Sequence, residues 1–578
     1  MKTLKNKILN KVVKMRSLKF ILSALIINSI SLISLFAQNA PDQIFTNGKI
    51  ITVDDYFSIQ EAVAIKGQRI LAVGNNNEIE SLAATNTQRT NLNGKTVIPG
   101  LIDNHNHVVR ATEYWPNEAR LDGITSRAEA LQILRVKGDS LGPDEWIMSL
   151  GGWSEAQFID DQRDFTLAEL DAVAPDRPLF IQALYHHAYG NTAWFNAMGI
   201  PLTIPNEMQL TQNGLASYSV RDAEGKITGR LDGGFPMIEL ALQSFPAVSA
   251  DEQIEAIKSS FSHLNSIGLT TVYDPAGVGI RRESYSRLRE LAEEEGLTVR
   301  IYHTLGGSMP RTPQDAQDLI QEIRESKPFQ GNDLVDLIAV GEIYYAPFHW
   351  DNTRQPTNPT AEDINWAKKI LMAAAEGGWS VQTHATQPET IDHLLNLVAE
   401  INELQPVRQL RWSITHADNI NINQLDRVRH LGMNIQLRSN MVMGGREPIF
   451  EAFGGNAYNM PPLRMVQESG VSYGLGTDGT KAAQINPFVT LWWAITGKSL
   501  SGEVIQHQVL TREEALIATT RANSLLMFQE QNIGAIKPGL LADMLVLDRD
   551  YLTVPVDEIK EIRPVATIVS GKLVYGNL

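Results

Sequence analysis

What most constrains this chain is a run of short apolar, β-branched segments that alternate with amphipathic helical stretches over most of its length. Eight of them read as strands, at residues 97–107, 269–275, 299–303, 337–345, 379–384, 410–416, 433–438 and 471–478. Continuous apolar runs suit strands buried on both faces of a parallel sheet, and the helical stretches between them supply the crossovers. Eight such units predict an α/β fold of one kind, a closed (β/α)8 TIM barrel. The interval between the first two strands, about residues 110–265, is far too long for one helix. It must hold an inserted lobe, and an insertion there overhangs the catalytic face. Residues 43–97 read as short β elements with turns, and 542–547 and 566–575 match them in style. The expected organisation is a barrel over 98–522 and a small composite β-sandwich from residues 38–97 plus 523–578. At 578 residues the chain is long enough for both.

The strand ends carry the chemistry. The first run ends Asp103-Asn104-His105-Asn106-His107, the fourth contains Glu342, the fifth ends at His384, the sixth at His416 and the eighth at Asp478. Residues two apart on a strand share a face, so His105 and His107 can grip one ion together. All these residues fall at C-terminal strand ends, where such barrels place their active sites. A lone histidine near a strand end is usually structural; five donors at successive strand ends are hard to obtain by chance. Neutral imidazoles with a carboxylate suit Zn²⁺ or a similar divalent ion, as one or two ions. Metal-bound water has a pKa of roughly 7, and Asp478 is placed to take its proton and pass it to a leaving group. Glu342 is either a further ligand or an ordinary buried carboxylate.

Composition narrows the partners. Residues 1–19 hold seven Lys and Arg and no acid, residues 20–36 are almost wholly apolar, and Ala37-Gln38 follows. That order describes a secretory signal over residues 1–37, cut after Ala37, and an exported, periplasmic or secreted protein. The alternative is a retained anchor, for which 17 residues is at the short limit. Removing the segment takes the net charge from −16 to −23, which argues against nucleic acid as a partner. There is no cysteine, hence no disulfide, no thiolate nucleophile and no Cys-type zinc site. The oligomeric state stays open, a homodimer included.

These motifs carry a family resemblance. Val97-Ile-Pro-Gly-Leu-Ile-Asp-Asn-His-Asn-His107 resembles the opening signature of the amidohydrolase superfamily, and Ile533-Gly-Ala-Ile-Lys-Pro-Gly-Leu-Leu-Ala-Asp543 the stretch that re-enters its small β domain. Leu170-Asp-Ala-Val-Ala-Pro-Asp-Arg-Pro178 and Thr511-Arg-Glu-Glu-Ala515 are similar to the amidohydrolase 3 branch, the YtcJ-like group that includes N-substituted formamide deformylases. The resemblance spans about residues 43–575. It implies that His105, His107, His384 and His416 are metal ligands, that Asp478 is ligand and acid/base, and that His187 in the lobe points at the substrate. Two positions depart from the branch. Glu342 stands where relatives commonly carry a Lys, often carbamylated to bridge two metals; it offers the same ligand type on a shorter stem. Gly233 stands where relatives often carry a Glu, with Asp232 beside it.

The expected activity is hydrolysis of a C–N bond, an amide or cyclic amide, in a small-molecule substrate by metal-activated water. Two rivals keep the same site: ester or phosphoester hydrolysis, and a non-catalytic metal-containing binding protein. Trp153 and Arg438 are candidate substrate-binding residues, the first as an apolar wall and the second as a carboxylate anchor. Substrate identity is not legible, because loops of the lobe build the pocket.

Overall fold

The computed structural model describes residues 40–578 apart from 205–213, 278–279, 281, 295, 307–308, 353 and 444–450. The expected signal segment, residues 1–37, lies outside the described residues. Among the described residues no helix is long and apolar enough to cross a membrane.

Eight parallel strands form the barrel in chain order: Leu101–Asp103, Leu269–Asp274, Arg300–Leu305, Val335–Val340, Ser380–Ala385, Ser413–His416, Asn434–Arg438 and Tyr473–Gly476. Closure between the last and the first is made by Asp478 N–H to His105 O at 2.8 Å and His107 N–H to Gly479 O at 2.6 Å. The strands form where every residue is apolar, β-branched or otherwise tolerant of burial; Leu269–Asp274 is buried at all positions. The helices between them are amphipathic and capped. In Pro313–Glu325, Thr312 and Asp315 form a capping box, Pro313 takes the first turn, and Ala316, Leu319, Ile320 and Ile323 face inward at the helical spacing that makes one buried stripe.

The first expected strand, 97–107, is two strands. Thr96–Pro99 pairs antiparallel with Met544–Leu547 in a six-stranded sheet, and Leu101–Asp103 pairs with Leu269–Asp274 in the barrel. Gly100 makes the switch: a Cβ there would lie 2.3 Å from Thr270 Oγ1, so no larger residue fits between the two pairings. The six-stranded sheet, with strands from both chain ends, packs on a four-stranded sheet from residues 43–91. Phe45, Val63 and Ile65 of one meet Ile50, Val97, Met544 and Ile568 of the other. A buried ion pair, Arg300 to Asp543 at 2.8 Å, ties this region to the barrel.

The insertion after the first barrel strand carries a five-stranded mixed sheet in the order Ser219–Arg221, Ile227–Asp232, His187–Gly190, Leu179–Ala183, Ile147–Leu150. It has its own core of Met148, Phe180, Trp194, Leu231 and Met237. Helix Ala250–Ser266 then packs on the second barrel strand, so the last part of the 110–265 interval is barrel helix. The insertion sits on the C-terminal face of the barrel through Gly152 N–H to Lys481 O at 3.2 Å, Arg120 Nη2 to Thr480 O at 3.0 Å and Ser154 Oγ to Met443 O at 2.5 Å.

Candidate metal centre

Four histidines and two carboxylates converge at the C-terminal mouth of the barrel, all buried. Glu342 lies at the middle. Its Oε2 is 3.1 Å from His416 Nε2, 3.2 Å from His384 Nδ1 and 3.5 Å from His105 Nε2, and its Oε1 is 3.3 Å from His107 Nε2. Asp478 Oδ1 is 3.5 Å from His107 Nε2 and 3.7 Å from His105 Nε2. The structure thus gathers all six residues that the strand ends single out. Glu342 sits two residues past its strand rather than within it, because the strand ends at Val340.

Local structure aims each donor. Asp103 anchors the turn after the first strand, accepting from His105 N–H at 3.1 Å, Thr477 Oγ1 at 2.6 Å and Asn106 Nδ2 at 2.9 Å. His107 Nδ1 lies 2.8 Å from Ala276 O, which turns Nε2 toward the carboxylates. His384 Nε2 is 3.0 Å from Asp351 O and 3.4 Å from its Oδ1, leaving Nδ1 for the centre. Asp351 is itself fixed by Thr386 N–H, Thr386 Oγ1 and Gln387 N–H at 2.8–3.0 Å. Partners of this kind set imidazole orientation at metal sites. His416 and Asp478 have φ of 76° and 62°, left-handed conformations that cost about 1–3 kcal/mol each for residues with a side chain and cluster at functional sites.

The electrostatics fit a cation. Burial works against charge on every member, yet Asp478 and Glu342 raise His107 to about 9, and Asp351 and Glu342 raise His384 to about 10. His416 is driven well down by burial, by Arg438 and by His384. Glu342 and Asp478 are held low despite burial, the first by His105 and the other rings, the second by His107 and Arg438. Both ring nitrogens of His105 and Nδ1 of His416 are buried with no hydrogen-bond partner among the described residues. Donor atoms of His105, His107 and Asp478, and of His105, Glu342 and His416, lie within 4.8 Å of one another. Four imidazoles turned toward two ionised carboxylates, with His105 Nε2 left without a hydrogen bond among them, are the donor set of a divalent ion, and the residues fit one.

Two expected substrate contacts are corrected. Arg438 is no open carboxylate anchor: Nη1 is 2.7 Å from Asp478 Oδ2 and Nη2 is 2.6 Å from Asp418 Oδ2, so its guanidinium is already engaged. Trp153 has no exposed surface; it stacks on Phe158 and meets Phe165 edge-on inside the hydrophobic core. His187 belongs to a separate cluster in the lobe. Its Nε2 is 3.0 Å from Glu155 Oε1 and 3.1 Å from Tyr189 Oη, and Tyr189 donates to Asp164 at 2.9 Å. At Gly233, a Cβ would lie 2.2 Å from Tyr218 Cδ1, so this chain has filled the space of a larger residue there. The site residues that sequence reasoning missed are Asp351, behind His384, and Asp418, behind Arg438. Asp418, two residues past His416, was the only one with a spacing that could have marked it.

A closed parallel barrel with imidazoles and carboxylates gathered at its C-terminal mouth defines a barrel protein with a metal-type centre. The model of the amidohydrolase family matches residues 88–575, and the chain belongs to that family. It is 25% identical over 548 residues to the N-substituted formamide deformylase of Arthrobacter pascens, covering 92% of this chain and 98% of that one. It is 22% identical over 557 residues to the putative amidohydrolase YtcJ of Bacillus subtilis, covering 92% and 99%. Among solved structures, an uncharacterized metal-dependent hydrolase from Pyrococcus horikoshii superposes with a TM-score of 0.61 at 20% identity, covering 89% of this chain and 99% of that one.

Proposed function

We propose that the chain hydrolyses a C–N bond, an amide or cyclic amide, at this centre. The observation that carries the reading is the division of Asp478 between two tasks. Its Oδ2 is held by Arg438 while Oδ1 faces His105 and His107. His105, His107, His384, His416, Glu342 and Asp478 would hold one or two divalent ions, zinc by the donor chemistry. A bound ion there supplies Lewis acidity to the amide carbonyl and lowers the pKa of water. Asp478 Oδ1 is the atom placed to accept the proton of the attacking water and return it to the leaving nitrogen as the C–N bond breaks. Arg438 and Asp418 fix the carboxylate in one orientation, and the lobe rests on the C-terminal face that carries the centre. The Arthrobacter relative is named for N-substituted formamides, which supports beginning with formyl amides.

The test is turnover of zinc-loaded protein on formamides, acetamides, lactams and matched esters. Amide turnover that disappears on chelation and returns with zinc is expected. Ester turnover alone would sink the amide reading, and no turnover of either class in zinc-replete protein would sink hydrolysis at this centre.

A further inference from the structure

Next to His107 of the metal-type centre, the lobe and barrel line a half-open pocket of about 480 Å³, within the size range of small-molecule sites. Its apolar wall includes Ile238, Leu242, Ile257 and Leu288. Two cations line it from the catalytic side. Lys481, three residues past Asp478, is 4% exposed. Among the described residues none hydrogen-bonds or ion-pairs with its ammonium group. Arg110, three residues past His107, gives one Nη2 hydrogen bond to Tyr185 Oη. Its Nε is buried with no partner among the described residues. The guanidinium stands beside His107: a Cβ on Gly277 would lie 3.0 Å from His107 Nδ1 and 3.2 Å from Arg110 Nη1.

Two cations with no ion pair among the described residues repel each other and lose hydration, which is costly unless an anion joins them. Burial and Arg110 together push the Lys481 ammonium down to about 8. Glu118 and Glu113 act on Lys481 from a distance and Glu239 lines the cavity, but the buried Glu118 is paired with Arg120 at 3.2 Å, Glu113 is exposed and Glu239 half-buried, and none of the three reaches Lys481 as an ion pair.

We infer that Arg110 and Lys481 form an anion subsite, and that the substrate is an amide carrying a carboxylate close to the scissile bond and an apolar body. This rests on the amidohydrolase reading of the adjacent centre. The guanidinium edge and the ammonium would share the carboxylate oxygens, while the apolar body lies on the Ile238–Leu242 side.

The test compares N-formyl-leucine and N-acetyl-leucine with their methylamides, which keep shape and lose charge, and N-butylsuccinamate with its methyl ester. Zinc-loaded wild type should favour the carboxylate member of at least one pair by roughly 10–100-fold in kcat/KM, the range of a hydrogen bond to a charged group. Lys481→Met and Arg110→Met should each bring that ratio toward one, and Lys481→Arg should retain most of it. Calorimetric titration of the same pairs into wild type and Lys481→Met gives a readout independent of turnover. If no pair is hydrolysed yet the carboxylate members bind more tightly in a Lys481-dependent way, the subsite stands and the reaction is what failed. Ratios near one in every pair, in both turnover and binding, or a preference unaffected by both methionine variants, overturn the subsite.

Discussion

Two clusters in this molecule look alike by composition. At the barrel mouth, histidines and carboxylates lie within 4.8 Å of one another; in the lobe, Glu155, Asp164 and His187 do the same. Their surroundings differ. The barrel donors come from five strand ends, are all buried, and include imidazole nitrogens without partners. In the lobe, Arg230 Nη1 is 2.6 Å from Asp164, whose side chain is 55% exposed, and Tyr189 bridges Asp164 and Glu155. The lobe cluster has therefore answered its own charge with an arginine and a phenol. In the barrel cluster the one arginine paired with a carboxylate, Arg438, is directed at the far oxygen of Asp478 and leaves the inner face for a cation. Proximity of ligand-type residues is not enough to mark a metal site; the unanswered charge and the orphaned nitrogens do so.

The largest effect that separates them should come from Asp478→Asn. The amide keeps the volume and cannot accept a proton, so kcat should fall by about 10²–10⁴-fold with the zinc content retained, checked by turnover and elemental analysis together. A variant near wild-type kcat would remove Asp478 from the proton path. Next, Asp351→Asn loosens the partner of His384 and should weaken zinc affinity by about 10–100-fold, read by competition with a chelator; unchanged affinity would break the claim that the barrel donors are held from behind. Smaller again, Glu155→Gln and His187→Ala should leave zinc stoichiometry where it was. Loss of an equivalent in either would mean that the lobe cluster is a second ion site and that the contrast is wrong.

The smallest effect is one of pH. Burial opposes charge on Glu155, but His187 and Tyr189 hold its pKa below the ordinary value of 4.5. A carboxylate with a lowered folded pKa stabilises the fold above its unfolded pKa, and that stability is lost as pH falls through the folded value. Hydrogen exchange of the lobe strands should therefore quicken below about pH 4.5 in the wild type. In Glu155→Gln that acid step should be reduced; an identical profile in the variant would assign the step to other carboxylates.

Much of the barrel was legible because strand ends are where continuous apolar runs stop at polar residues. His105, His107, His384, His416 and Asp478 each stand at or just past such a stop. Glu342 was readable for the same reason, although its strand ends two residues earlier. Arg438 was misread because a sequence shows that an arginine closes a strand, not which carboxylates reach it first; Asp418 and Asp478 do. Trp153 was misread because an aromatic after two glycines looks the same whether it faces a pocket or a core. Asp351 lies in a loop after the fourth strand, where no periodicity points inward. The break at Gly100 was hidden inside one apolar run, since both halves are buried and only their partners differ.

That break has a consequence for the order of synthesis. Thr96–Pro99 has Lys49–Ile51 on one edge, but its other edge waits for Met544–Leu547, which leaves the ribosome hundreds of residues later, roughly 20–90 s at ordinary elongation rates. The segment bearing His105 and His107 follows directly, and its own neighbour across the seam, Asp478 to Gly479, also emerges late. During that interval the nascent chain exposes an apolar edge on each side of Gly100, a ready template for pairing with the wrong strand. The emergence of the last strands, rather than the first, sets the moment at which the catalytic mouth can assemble.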